Sequence, residues 1–263
     1  MSGRHRPGPA SQHFLRKGAL AASLVRQAAP RPDDLIVEAG AGSGALTKAL
    51  ARYSRRVVAV EIDPALCERL RAVFADSGRV EVVQRDFLDY RLPLEPWRFI
   101  ANIPYHLTAA IISRVLHAPV PPDELHVIVQ REAAERYAGR PCAPETRTSL
   151  KMKPFWHVEI VRRLRRTDFE PPPSVDSVLM WMAKRSPPLV RPEEMVRYAG
   201  FVDRAFGDRG PAVRDGLRGF LTGPQMRRLS RDLRFDLQAR PSDLSFGQWL
   251  GLYRFYSLAQ REL

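Results

Sequence analysis

The run Leu35-Ile36-Val37-Glu38-Ala39 passes directly into Gly40-Ala41-Gly42-Ser43-Gly44, and Ala45 to Leu50 then reads as the opening of a helix. A buried strand, a glycine turn and a helix in that order constrain the fold more than any other feature of the chain. Glycine tolerates positive φ and lets backbone approach a ligand with no Cβ in the way. The helix must carry the chain back over one face before the next strand starts, which sets up parallel pairing.

The same rhythm continues. Val57 to Glu61, Val80 to Val83, Phe99 to Ala101 and Leu125 to Val129 read as strands, separated by helical spacing from Pro64 through Leu66, Leu70 and Phe74, and from Leu107 to Leu116. This predicts an α/β fold with a mostly parallel, doubly wound sheet. Phe155 to Leu164 and Val175 to Met182 read as an antiparallel pair closing one sheet edge, joined through Pro171-Pro172-Pro173. Ser186-Pro187-Pro188 reads as a linker. Beyond it, Met195, Tyr198, Val202 and Phe206, then Trp249, Leu252, Tyr253 and Tyr256, recur at helical spacing. The predicted organisation is a basic tail over 1–10, a ligand-binding catalytic domain over 11–185 and a small helical domain over 186–263.

A formal net charge of +13 over 263 residues favours a polyanionic partner, because neutralising phosphates releases counterions. No stretch approaches the apolar length of a transmembrane helix, and the basic N-terminus has no apolar segment behind it, so neither a membrane span nor a secretory signal is expected. Cys67 and Cys142 form no disulfide framework and have no metal-ligand spacing, nor do His106 and His117. A reducing cytoplasm and a metal-free protein are the expectation.

Three acids fall at or beside three successive predicted strand ends. Glu38 precedes the glycine loop, Glu61 ends the second strand where an acid commonly binds ribose hydroxyls, and Asp86 follows the third, placed to accept from an adenine amino group. An adenosine-bearing cofactor follows, and both S-adenosylmethionine and NAD satisfy these positions. Asn102-Ile103-Pro104-Tyr105, at the end of the fourth strand, discriminates between them. The Asn102 amide oxygen and a nearby carbonyl can accept from an exocyclic amine, and the Tyr105 ring can stack on a flat base. Hydride transfer has no need for that tetrapeptide, whereas transfer of a methyl group to a poorly nucleophilic amine does.

At these residues the chain resembles the rRNA adenine-N6 methyltransferases of the Erm and KsgA type. Ser11-Gln12-His13-Phe14-Leu15 resembles their N-terminal motif, Val37 to Thr47 the glycine motif, and Val60-Glu61-Ile62-Asp63 and Asp86-Phe87-Leu88 the next two. Asn102 to Tyr105 matches the catalytic motif, and Val129 to Glu132 and Phe169 to Ser177 later ones. The resemblance covers about 12–185. It implies a Rossmann-like class I methyltransferase sheet, mostly parallel with one antiparallel strand, and S-adenosylmethionine as cofactor. It implies that His13, Leu15, Gly40, Gly42, Glu61, Asp86 and Asn102 contact the cofactor. It also implies that Tyr105 and Phe169 hold a flipped or single-stranded adenine between them. His13 departs from the Asn usual among Erm members.

Ser11 before Gln12 and the stretch Thr148 to Trp156 are more similar to the Erm branch than to KsgA. That similarity implies a monomer that methylates one adenine of 23S rRNA, with macrolide, lincosamide and streptogramin B resistance as the consequence. Arg162, Arg163, Arg165 and Arg166 suit phosphate contacts beside the base pocket, although a solvated charge run has the same composition. Three alternatives stand beside this expectation: a KsgA-like enzyme for 16S rRNA, a non-catalytic RNA-binding relative that keeps the fold, and an NAD oxidoreductase.

Overall fold

A computed structural model describes residues 13–207 and 210–259. The basic tail, Ser11 and Gln12 lie outside the described residues.

The strands in chain order are β1 (Phe14–Leu15), β2 (Leu35–Ala39), β3 (Arg56–Glu61), β4 (Val80–Gln84), β5 (Arg98–Asn102), β6 (Glu124–Gln130), β7 (Trp156–Leu164), β8 (Phe169–Glu170) and β9 (Ser177–Lys184). Seven of them form one sheet in the order β4-β3-β2-β5-β6-β9-β7. Pairing is parallel from β4 to β6, and β9 runs antiparallel to β6 from Glu124↔Ala183 to Gln130↔Ser177. The chain order reverses between β2 and β5. That crevice, at the carboxyl ends of both strands, is where doubly wound sheets hold ligands. Gly40 leaves one lip of it and Asn102 the other.

The helices are α1 (Gly18–Ala28), α2 (Ala45–Leu50), α3 (Pro64–Val73), α4 (Thr108–Leu116), α5 (Arg131–Ala138), α6 (Arg147–Met152), α7 (Met195–Ala205), α8 (Val213–Gly216), α9 (Gly223–Leu233) and α10 (Phe246–Ala259). α1 buries Ala21, Leu24, Val25 and Ala28 against Ile36, Leu50 and Ile100. α3 starts sharply because Asp63 accepts from the Leu66 N–H at 3.0 Å and Pro64 needs no donor partner in the first turn. At the far end of the sheet, buried Arg98 donates to the Ala28 and Ala29 carbonyls and to the Asp34 and Glu124 carboxylates at 2.6–3.0 Å. One guanidinium thereby ties the end of α1 and the approach to β2 to strands β5 and β6.

The chain divides into two compact units, 1–134 with 159–183, and 135–158 with 184–263. The first holds the crevice. The second is helical, with a core of Leu150, Tyr198, Phe201, Trp249 and Tyr253. This moves 135–158 out of the domain to which the sequence assigned it. Leu150 and partly buried Phe155 pack into the helical core, and the Tyr198 hydroxyl donates to the Leu150 carbonyl at 2.9 Å. Within that segment buried Glu145 accepts from Lys153 Nζ at 2.5 Å and from Ser149 Oγ at 2.6 Å.

Candidate active site

A cleft of about 420 Å³ opens at the crevice. His13 and Phe14 from the N-terminal segment, Gly40 and Gly42 from the loop, Glu61 and Ile62 after β3, Arg85 to Leu88 after β4, and Asn102 to Leu107 after β5 line it. Apart from His13, the polar lining groups lie at or just after strand ends because the parallel sheet brings its carboxyl termini to one edge.

The loop is cut to fit. Gly42 and Gly44 have φ of +57° and +80°, and a Cβ on Gly42 would come within 2.6 Å of the Phe14 ring. Any side chain there would strain the turn and fill the space beside the cleft. Glu38 is fully enclosed and accepts from Thr47 Oγ1 at 2.6 Å, joining the strand before the loop to the helix after it. Burial, against the opposing Thr47 hydrogen bond and with some help from Glu61, pushes its carboxyl up to about 8. It is therefore largely neutral at pH 7, when it holds the loop without placing a charge there.

Glu61 braces the loop from the other side. Its Oε2 accepts from Gly42 N–H and its Oε1 from Ile62 N–H, both at 2.8 Å. The sequence assigned Glu61 to a ribose. Oε1 also accepts from Asp63 N–H at 3.0 Å, so three backbone donors fix Glu61 on the cleft wall and one Oε2 lone pair is left for a hydroxyl group. Asp86 lies on the wall with Oδ1 accepting from Leu88 N–H at 2.8 Å.

Asn102 donates from Nδ2 to the His13 carbonyl at 2.8 Å, which leaves Oδ1 as the amide's acceptor for a ligand. His13 Nδ1 lies 2.8 Å from the Pro171 carbonyl. A carbonyl only accepts, so Nδ1 carries the proton. The His13 and Tyr105 rings lie 5.5 Å apart, and the Tyr105 hydroxyl is 2.5 Å from Ser177 Oγ. Burial raises the Tyr105 phenol pKa, so it stays neutral.

Phe169 departs from its expected place. It is completely buried, packed with Leu15, Leu164 and Leu179, and does not line the cleft. The cause is the short antiparallel ladder of β1 and β8, which sets Leu15 opposite Phe169 and Phe14 opposite Glu170. One register position turns Leu15 and Phe169 into the core, while Phe14 faces the cleft. Leu15 borders only a small void of about 20 Å³ beside Gly40 and Asn102. Arg162 is tied to Ser23 at 2.8 Å, Arg165 lies near Asp168 at 3.6 Å and Arg166 near Asp176 at 3.2 Å. Arg163 is exposed. Phe14, Ile62, Arg85 and Leu88 also line the cleft; three of them fall within the motifs read from sequence, which assigned none of the four a contact. Ile62 is half exposed, a visible anomaly for an apolar residue next to an acid.

The donor set suits an adenosyl group: an apolar slot from Ile62 to Leu88 and Ile103, a carboxylate at each of two strand ends, and a loop that only glycine can form. The profile of the family described as ribosomal RNA adenine dimethylase matches residues 9–257. The chain belongs to the ribosomal RNA adenine dimethylase family. It is thus a methyltransferase, in the group that uses S-adenosylmethionine to methylate adenine N6 in ribosomal RNA. It is 34% identical to an rRNA adenine N-6-methyltransferase of Saccharopolyspora erythraea, over 78% of this chain and 54% of that one, so it spans about half of that relative's length. It is 33% identical to ribosomal RNA small subunit methyltransferase A of a Synechococcus species, over 92% of this chain and 89% of the relative. It superimposes on the crystal structure of the 23S rRNA methyltransferase ErmE with a TM-score of 0.87 at 31% identity, covering 93% of this chain and 99% of that one. For this family member, no described helix is long and apolar enough to cross a membrane, and the described residues contain no metal-binding cluster.

Proposed function

We propose that the protein methylates N6 of one adenine in 23S rRNA as a monomer, and that this modification confers resistance to macrolides, lincosamides and streptogramin B. The observation that carries the choice of RNA is the likeness to ErmE over nearly the whole of both chains. S-adenosylmethionine, when bound, supplies an already reactive methyl group. Glu61 and Asp86 would hold its ribose and adenine, and Gly40, Gly42 and His13 would border its remaining length.

The residues of this chain supply orientation. Asn102 Oδ1 accepts one N6 hydrogen of the target base, and a neighbouring backbone carbonyl accepts the other. The amine then pyramidalises, with its lone pair directed along the cleft. The Tyr105 ring stacks on the base and is steadied by its contact with Ser177. Because the Asn102 amide is already held by His13, little reorganisation is needed when the base arrives. Arg163, Arg165 and Arg166 take the flanking phosphates.

The match to the Synechococcus small-subunit enzyme favours a second reading, dimethylation of 16S adenines. Expression in a macrolide-sensitive bacterium separates the two. The first reading expects a large rise in the inhibitory concentration of erythromycin, absent from an Asn102→Ala control. Unchanged susceptibility, with the protein expressed and 16S rRNA methylated, selects the second.

A further inference from the structure

The surplus positive charge is unevenly placed. The helical unit has 20 Lys and Arg against 11 Asp and Glu, whereas the sheet-bearing unit has 22 against 18. Nine of the thirteen net charges therefore belong to the smaller unit.

α9 concentrates part of this charge on one face. It buries Met226 and Leu229 in the helical core and half-buries Leu233, so one side is spent on packing. Arg227 and Arg231 are exposed four residues apart on the helix, and Arg234, the left-handed residue that caps its C-terminus, is exposed too. Among the described residues none of the three meets a carboxylate, whereas neighbouring Arg228 lies 3.5 Å from Asp232. The helix macrodipole favours a cation in the last turn but gives no reason for Arg227, near the start. Four residues of helix advance about 6 Å, which is comparable with the separation of successive phosphates along a strand. Guanidinium groups, unlike ammonium groups, grip such phosphates through two parallel hydrogen bonds.

We propose that the exposed face of α9, together with its C-terminal cap, is an RNA-docking surface that anchors the sugar-phosphate backbone of the ribosomal RNA substrate through Arg227, Arg231 and Arg234. This surface carries affinity without reading sequence. The proposal rests on the assignment of RNA as substrate, but its test does not depend on methyl transfer.

The test is equilibrium binding of the full chain to a 23S rRNA transcript over a series of KCl concentrations, without cofactor. Arg227, Arg231 and Arg234 are replaced together by alanine, and separately by lysine, with thermal melting as a control for folding. The alanine triple is expected to weaken binding by about tenfold or more and to reduce the slope of log affinity against log salt by about 2 to 3. The lysine triple is expected to keep the wild-type slope. An unchanged slope and affinity in the alanine triple would overturn the proposal, as would an equal slope loss in the lysine triple, which would mark a packing role. If the wild type methylates rRNA while the alanine triple binds normally, only the docking surface falls. If the wild type itself neither binds nor methylates rRNA, the functional assignment falls first.

Discussion

The side-chain amide of Asn102 donates to the backbone carbonyl of His13, 2.8 Å away and 89 residues earlier in the chain. This bond connects the tetrapeptide Asn102 to Tyr105 to the N-terminal segment, and that segment is itself held by the β1–β8 ladder. It also selects which end of the amide can accept from a ligand.

Asn102→Ala removes both the acceptor and this tether. Single-turnover methyl transfer is expected to fall by about 10²-fold or more, the scale seen when a preorganised polar group is removed, while RNA affinity stays within about twofold of wild type. Asn102→Asp should be equally inactive, since an ionised carboxylate cannot donate to the His13 carbonyl. Near-normal turnover in either variant would contradict the role given to the amide.

Gly42→Ala places a Cβ at positive φ and against the Phe14 ring. Cofactor affinity, measured calorimetrically with S-adenosylhomocysteine, should drop about tenfold or more, with a stability loss of about 1–2 kcal/mol. Wild-type affinity would mean that the loop does not shape the cofactor pocket.

Glu38 has a carboxyl pKa near 8 in the fold, well above its ordinary value of 4.5. The native state thus holds a proton that the unfolded state has released, and stability contributed by this residue declines as pH rises through that interval. Glu38→Gln keeps a neutral side chain. It should flatten the dependence of urea midpoint on pH between 4.5 and 8, the interval bounded by those two values. A variant whose profile overlays wild type would show that Glu38 is ionised in the fold.

Phe169→Ala tests the corrected position of that ring. Because Phe169 is fully buried, the loss should be about 3–5 kcal/mol of stability. A ring that served only to stack on the substrate would instead leave the melting temperature unchanged and depress turnover alone.

The sheet was legible because its strands are short β-branched runs separated by helical periodicity, and its carboxyl edge was legible because acids and the glycine loop recur where such strands end. Asn102, Tyr105, Glu61 and Asp86 could therefore be placed together from sequence. The β1–β8 ladder could not, since two-residue strands have no periodicity to read, and the inward turn of Leu15 and Phe169 depends on its register. The domain boundary was hidden for a similar reason. The chain passes from one unit to the other within α5, with no proline or glycine marking the crossing, and Leu150 joins the helical core through packing that only tertiary structure reveals.

The central claim is tested most directly by incubating the purified protein with labelled S-adenosylmethionine and, separately, 23S and 16S rRNA, then mapping the modified base by primer extension and mass spectrometry. The account predicts label on N6 of a single adenine in 23S rRNA and none in 16S. Label confined to 16S rRNA, or on any atom other than adenine N6, would contradict it.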